Sequence, residues 1–271
     1  MEKLFNCNKP IIGMVHLLPL PGSPKFDGDV EKVIQRALED AKLLKGGGID
    51  GIIVENAGDS PFLIGEDFDS AAIALMSVIT KKIVEMTDLV IGVNCSSNAA
   101  VASFAVAKAS GAKFIRSTAW ANGYYATSGF VPAAAPKGSR YRNSIFAQDV
   151  KVLADVKVKN GSHWFLNDKS LSELCSDVKS LGADSVIVTG HTSGVMPEIS
   201  EIKIMKESAG LPLLIGSGAT TENVKQLLDL SDGIIIGSYF KRSGKMSEPV
   251  DAKRVKLFMD AVNEYKKGRE D

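Results

Sequence analysis

Three observations predict an α/β fold, a single (β/α)8 TIM barrel with eight parallel strands. The length, 271 residues, is close to the roughly 250 typical of that architecture. Short β-branched apolar runs alternate with amphipathic stretches along the chain, the pattern of a parallel sheet with crossover helices. Most of these runs lack in–out alternation, as expected of strands covered on both faces.

Strands are expected at Ile11–His16, Gly51–Glu55, Leu89–Asn94, Lys113–Ser117, Val152–Val158, Ser185–Thr189, Leu213–Ile215 and Gly233–Ile236. The first helix, Val30–Lys45, carries Val33, Ile34, Ala37, Leu38, Ala41 and Leu44 at helical spacing and stops at Gly46-Gly47-Gly48. Helices follow at Ser70–Met86, Asn98–Ser110, Ser170–Leu181, Glu198–Ala209, Thr221–Leu230 and Val250–Lys267. Thr221 is the expected N-cap of its helix, with Glu222 favourable to the dipole. Gly48-Ile49-Asp50, Gly111-Ala112-Lys113 and Gly182-Ala183-Asp184 repeat one helix-to-strand return. No linker or composition break divides residues 1–271, which read as one domain. The long connection after the fourth strand, residues 118–146, holds Trp120, Tyr124, Tyr125, Phe130, Pro132 and Pro136, and a weak helical element at best. Long loops inside compact domains are usually functional. Its aromatic content favours a lid, a substrate wall or a homo-oligomer interface over a disordered excursion.

Lys+Arg and Asp+Glu both number 32. Zero net charge argues against a nucleic-acid partner held mainly by phosphate contacts. No apolar run approaches the roughly 20 residues of a membrane span, and MEKLFNCNKP lacks the apolar stretch of a leader. Cys7, Cys95 and Cys175 are far apart with no CxxC, which fits a reducing cytosol and a cytoplasmic location. His163 and His191 sit in loops without ligand spacing, so no metal is expected. Nucleotide-cofactor fingerprints and the GxSxG elbow are absent from the sequence, and no cofactor is expected.

Barrel chemistry sits at the C-terminal ends of strands. Residues 212–238, PLLIGSGATTENVKQLLDLSDGIIIGS, contain two apolar runs that each end in glycine and serine. Gly216-Ser217-Gly218 and Gly237-Ser238 therefore form a candidate phosphate site, where backbone N–H groups approach the anion beside a helix start. His16 ends the first strand and suits acid–base work. Glu55 must be paired or solvated at the mouth, because burying it alone is too costly. Asp155 and Lys157, two residues apart, are expected on one strand face, with Lys159 one step nearer the mouth. A lysine held there binds an anion or, partly desolvated, forms a Schiff base. The fork of Arg116 suits a phosphate or carboxylate, or pairs with Asp155 or Glu55. Asn94 completes the expected binding set.

Beyond these residue-level readings, GMVHLLPLPGSP at 13–24, ENAGDSPF at 55–62, GAKFIR at 111–116, ADVKVK at 154–159 and TGHTSG at 189–194 resemble the BtpA/SgcQ family. So do GSGATTENV at 216–224 and DGIIIGSYFKRSG with PVDAKRVKLFM across 232–259. The resemblance covers nearly the whole chain. It implies a (β/α)8 barrel related to phosphate-binding barrels. It also implies a range of settings: a cyanobacterial member is associated with photosystem I biogenesis at the thylakoid surface, so peripheral membrane association is compatible with it, and other members sit in sugar-utilisation settings. This sequence departs from the family pattern at strand ends. Cys95-Ser96-Ser97-Asn98-Ala99 stands where members usually carry an arginine and an aspartate around the asparagine. Asn160 replaces a histidine, and STAWANGYY follows Arg116.

The leading expectation is an enzyme acting on a small phosphorylated substrate, a sugar phosphate or nucleotide, by isomerase, aldolase or glycosyl-bond chemistry. Glu55, Asp155, Lys157 and His16 are its expected catalytic groups. The alternative is a non-catalytic assembly factor that keeps the barrel and its pocket.

Overall fold

The structure, a computed structural model, describes residues 1–268. A short helix, α1 (Glu2–Phe5), leads into β1 (Ile11–His16), α2 (Val30–Gly46), β2 (Gly51–Glu55), α3 (Ser70–Met86), β3 (Val90–Asn94) and α4 (Ala100–Ser110). Next come β4 (Phe114–Ser117), a hairpin of β5 (Tyr124–Ala126) and β6 (Gly129–Val131), α5 (Ala135–Ser144) and β7 (Lys151–Asp155). The chain continues through α6 (Leu171–Ser180), β8 (Ser185–Val188), α7 (Ile199–Ser208), β9 (Leu213–Ile215), α8 (Val224–Leu230), β10 (Ile234–Ile236) and α9 (Ala252–Lys267). The parallel strands close a barrel in the order β1-β10-β9-β8-β7-β4-β3-β2. Among the described residues no helix is long and apolar enough to cross a membrane.

Alternation along the strands divides the core in two. Inward residues Ile12, Met14, Ile53, Phe114, Leu153, Ile187, Leu214 and Ile235 fill the barrel with Phe5. Outward residues such as Ile11, Val15, Ile52 and Val54 join the apolar stripes of the surrounding helices. Glycine at 92 makes room for the largest inward side chain: a Cβ there would lie 2.2 Å from the Phe114 ring. Phe5 packs on Phe114 with ring centres 5.7 Å apart, so α1 plugs the end of the barrel opposite the strand C-termini. Helix α2 starts at a capping aspartate, Asp29, which accepts from Lys32 N, and α6 starts with a Ser170–Glu173 capping box.

Three expectations are corrected. The connection 118–146 is not loop: it folds into the hairpin and a ten-residue helix, α5, the fourth helix of the barrel ring. Its sequence, APKGSRYRNS, buries only Ala135 and Gly138 and so has no broad apolar stripe. Gly138 packs by being small, its would-be Cβ 3.0 Å from the Trp120 ring. The fifth barrel strand ends at Asp155 rather than Val158. Helix α8 begins at Val224, with Asn223 rather than Thr221 at its cap position. There the Asn223 side chain closes the preceding turn, accepting from Thr220 N and donating to Gly218 O.

A buried ion pair ties the ring shut beside the last strand. Lys241 Nζ lies 2.8 Å from Asp40 Oδ2, both side chains being almost fully buried. Asp40 Oδ1 also accepts from Val250 N at 2.8 Å. The pair holds the β10–α9 connection against α2, and that connection carries the second glycine-serine turn.

Candidate active site

The β1–β2–β3 register sets His16, Glu55 and Asn94 abreast on three adjacent strand ends. They line a cavity of about 820 Å³ at the C-terminal mouth of the barrel, within the ~300–1,000 Å³ range of small-molecule sites. Asn94 Nδ2 donates to Glu55 Oε2 at 3.1 Å, and Ser96 Oγ donates to Oε1 at 3.3 Å. Both hold the carboxylate at the cavity wall; Asn94 itself lines the cavity, and its buried Oδ1 has no hydrogen-bond partner among the described residues. His16 is buried against Gly237, whose Cβ would sit 3.0 Å from His16 Cε1. Burial first, then the charges of Lys241, Lys159 and Arg116, push its pKa well below the ordinary value. The ring is neutral at pH 7, with one nitrogen able to donate and one to accept.

Arg116 and Asp155 are both buried and meet in a two-pronged pair: Nε to Oδ2 and Nη2 to Oδ1, each 2.9 Å. Asp155 raises the hold on the Arg116 proton above its usual range, against the effect of burial. Both oxygens of Asp155 are taken, and the residue does not line the cavity, so the structure gives it a supporting position behind Arg116. Arg116 does line the cavity, and its Nη1 makes no hydrogen bond to a described residue.

Lys157 and Lys159 part company because β7 stops at Asp155 and strand alternation stops with it. Lys157 faces a separate cavity of about 420 Å³ beside His163 and Trp164. Lys159 turns into the large one. Its backbone is pinned: Lys159 N donates to Thr189 Oγ1 at 3.0 Å, Thr189 Oγ1 donates to Lys157 O at 3.1 Å, and Asn160 N donates to His191 O at 3.0 Å. Burial, then Arg116, lower its pKa to about 8, while Glu55 and Asp155 pull the other way.

The two glycine-serine turns follow β9 and β10, the strands that come next to β1 in the barrel. Gly216 N donates to Val188 O and closes the sheet. The Ser217 hydroxyl accepts from Gly190 N and donates to Val195 O, so it fastens the 190–195 loop. Gly218 has φ +75°, and a Cβ there would lie 2.1 Å from Met196 N. Among the described residues no acceptor is found for the backbone N–H groups of Gly218, Ala219, Gly237 and Ser238, all on the cavity wall. Beside them is a residue the sequence reading missed, Arg254. Its Nε donates to Tyr239 O at 2.5 Å, and its guanidinium lies 4.7 Å from the Tyr239 ring centre. The available signal was the Asp251 cap, which puts Arg254 in the first turn of α9. Tyr124, one of the aromatics of the 118–146 connection, was not singled out as a site residue. It lines the cavity from the hairpin, its hydroxyl 3.4 Å from Thr118 Oγ1.

The family model described as BtpA family matches residues 7–264. The chain belongs to the BtpA family. It is 36% identical to the Synechocystis protein named photosystem I biogenesis protein BtpA, over 98% of this chain and 92% of that one. It is 37% identical to an uncharacterized protein of Archaeoglobus fulgidus, over 94% of this chain and 98% of the relative. Among solved structures, orotidine 5'-monophosphate decarboxylase from Methanocaldococcus jannaschii superposes with a TM-score of 0.59 at 15% identity, covering 95% and 100% of the two chains. That likeness is one of fold, the TIM barrel that this BtpA-family chain shares.

Proposed function

We propose that this barrel is an enzyme acting on a small phosphorylated substrate of the sugar-phosphate or nucleotide class. One observation carries the reading. Unpaired amides of Gly218, Ala219, Gly237 and Ser238, with Arg254, line one wall of the cavity that holds Glu55, His16 and Lys159. Converging N–H groups and a guanidinium suit a phosphate. The carboxylate, the neutral imidazole and the amine of lowered pKa suit proton transfer or carbonyl activation. Arg116 offers its free Nη1 to a second polar group of the substrate. One solved barrel of this fold, orotidine 5'-monophosphate decarboxylase, acts by its name on a nucleoside monophosphate.

A thermal-shift series with inorganic phosphate, ribose 5-phosphate, glyceraldehyde 3-phosphate and nucleoside monophosphates tests this, each ester paired with its dephosphorylated form. A phosphate ester at 100 times its Kd stabilises by about 2.7 kcal/mol; its dephosphorylated form does not. Arg254→Met removes a charge-assisted contact of about 1.5–3 kcal/mol, a weakening of roughly ten- to hundred-fold. No shift with any phosphorylated compound refutes the phosphate site. The name of the Synechocystis relative favours a second reading, a binding scaffold in complex biogenesis. Tight phosphate binding without turnover of any bound ester would support that reading.

A further inference from the structure

Lys159, half-buried at the cavity wall, differs from the fully buried Lys241. Lys241 is neutralised by Asp40 at 2.8 Å. Lys159 Nζ makes no hydrogen bond or ion pair to any described residue, yet it lines the main cavity. The backbone bonds around residues 157–160 fix where it emerges. Four groups face it from the surrounding strands: Arg116 on β4, Glu55 on β2, Asp155 on β7 and His16 on β1. Asp155 is already spent on Arg116, and Glu55 is held by Asn94 and Ser96. An amine so placed has no structural partner to explain it.

We infer that Lys159 is a nucleophile that captures the substrate's carbonyl carbon as an imine, and hence that the substrate is a phosphorylated aldehyde or ketone. The inference rests on the proposed phosphorylated-substrate site for where that substrate sits. A lysine with pKa about 8 is neutral in about a tenth of molecules at pH 7, roughly 300-fold more than a lysine at the ordinary 10.5. The neutral Nζ lone pair adds to the carbonyl carbon, and the C=O π pair moves to oxygen. Glu55 takes the proton that nitrogen sheds, and the oxygen takes a proton from water. Glu55 then returns its proton to the carbinol hydroxyl, which leaves as water as the nitrogen pair forms C=N. These steps sum to a protonated imine and the hydroxide left by the protonating water; when that hydroxide takes the iminium N–H proton the products are imine plus water, with no oxidant or reductant. Protonated, the imine draws in the electron pair of an adjacent C–H bond, giving an enamine, and the carboxylate of Glu55 accepts that proton.

Pyridoxal 5'-phosphate is the probe, a phosphorylated aldehyde whose imine borohydride reduces to a stable amine. The whole protein is treated with probe and borohydride, digested, and mapped by mass spectrometry, with pyridoxal as the unphosphorylated control. The expected result is one label per chain on Lys159, at least tenfold faster than on Lys157, slowed by inorganic phosphate. Lys159→Arg and Lys159→Met, checked for folding by melting, lose the label. Labelling scattered over exposed lysines, with Lys159 no faster than Lys157, overturns the inference. The two readings fail separately. Equal labelling of Lys159 by both aldehydes without phosphate protection sinks the phosphate site and keeps the amine. Phosphate esters that raise the melting temperature while Lys159 stays unlabelled do the reverse.

Discussion

Replacing Asp155 by alanine probes how the floor of the site is held. The carboxylate makes two 2.9 Å bonds to Arg116, and both side chains are buried, at 0% and 5% exposure. Removing one member of such a pair leaves a charge with neither water nor a partner, at a cost of about 3–5 kcal/mol. At about 2.1 cal/mol/K per residue, the 271-residue chain has an unfolding entropy near ~0.57 kcal/mol/K, so Asp155→Ala lowers Tm by about 5–9 °C. Differential scanning calorimetry at pH 7 measures this. Arg116→Met with Asp155→Leu supplies the control, since exchanging both partners for apolar groups is nearly neutral in many buried pairs. The double variant should therefore melt well above the sum of the single losses. A single-variant loss under about 1 kcal/mol, the range of exposed pairs, refutes the reasoning. So does simple additivity of the two substitutions.

Three further outcomes follow from the same contacts. Asp40→Ala leaves Lys241 buried without a partner and frees Val250 N, so chemical denaturation should register a loss of about 3–5 kcal/mol, and phosphate-induced stabilisation should fall because the second turn loses its anchor. Lys159→Met should stabilise the protein at pH 7 by up to about 3 kcal/mol, because the native pKa of about 8 lies below the ordinary 10.5 and each unit is worth about 1.36 kcal/mol. Above pH 10.5 both native and unfolded chains carry a neutral Lys159 and nothing is gained. As pH falls from 10.5 to 8 the unfolded chain binds the proton first, so the advantage grows and is complete below 8. Urea titrations at pH 7 and pH 11 that give equal differences between variant and parent would contradict the shift. Gly218→Ala forces a side chain to φ +75° and against Met196 N, a strain of about 1–3 kcal/mol. Calorimetry should find at least that loss together with weaker phosphate binding, and unchanged melting and binding would mean that the turn is not built as described.

The strand ends were legible because a parallel barrel repeats one device: an apolar run buried on both faces, stopped by a polar residue at the mouth. His16, Glu55, Asn94 and Arg116 all stand at such stops, and the register brings the first three into line. Period-two reasoning failed at Lys157 because it was carried past Asp155, where the ladder ends and the backbone turns. Helix α5 was hidden by its own composition, since it buries small residues against Trp120 instead of presenting an apolar stripe. The glycine-serine turns were found by pattern, but their parts are not equivalent: Gly216 and the Ser217 hydroxyl brace neighbouring segments, and the amides beyond them are free. Lys241 with Asp40, 201 residues apart, and Arg254 against Tyr239 come together only when the ring closes. No local spacing announces such pairs.

The charges around the mouth separate by what already holds them. Arg116 is bound to Asp155 and Lys241 to Asp40. Each is a cation neutralised within the protein, and each locks a segment that the site depends on: β4 to β7 in one case, the β10–α9 connection to α2 in the other. Among the described residues Lys159 has no such partner, and Glu55 is bound only by neutral donors. Desolvating an amine that no carboxylate contacts costs stability. A barrel that neutralises two other cations completely has the means to neutralise a third. Among the described residues Lys159 stands uncommitted in the cavity that also holds Glu55 and the amides without acceptors, and on the proposed reading that is a trade of stability for reactivity.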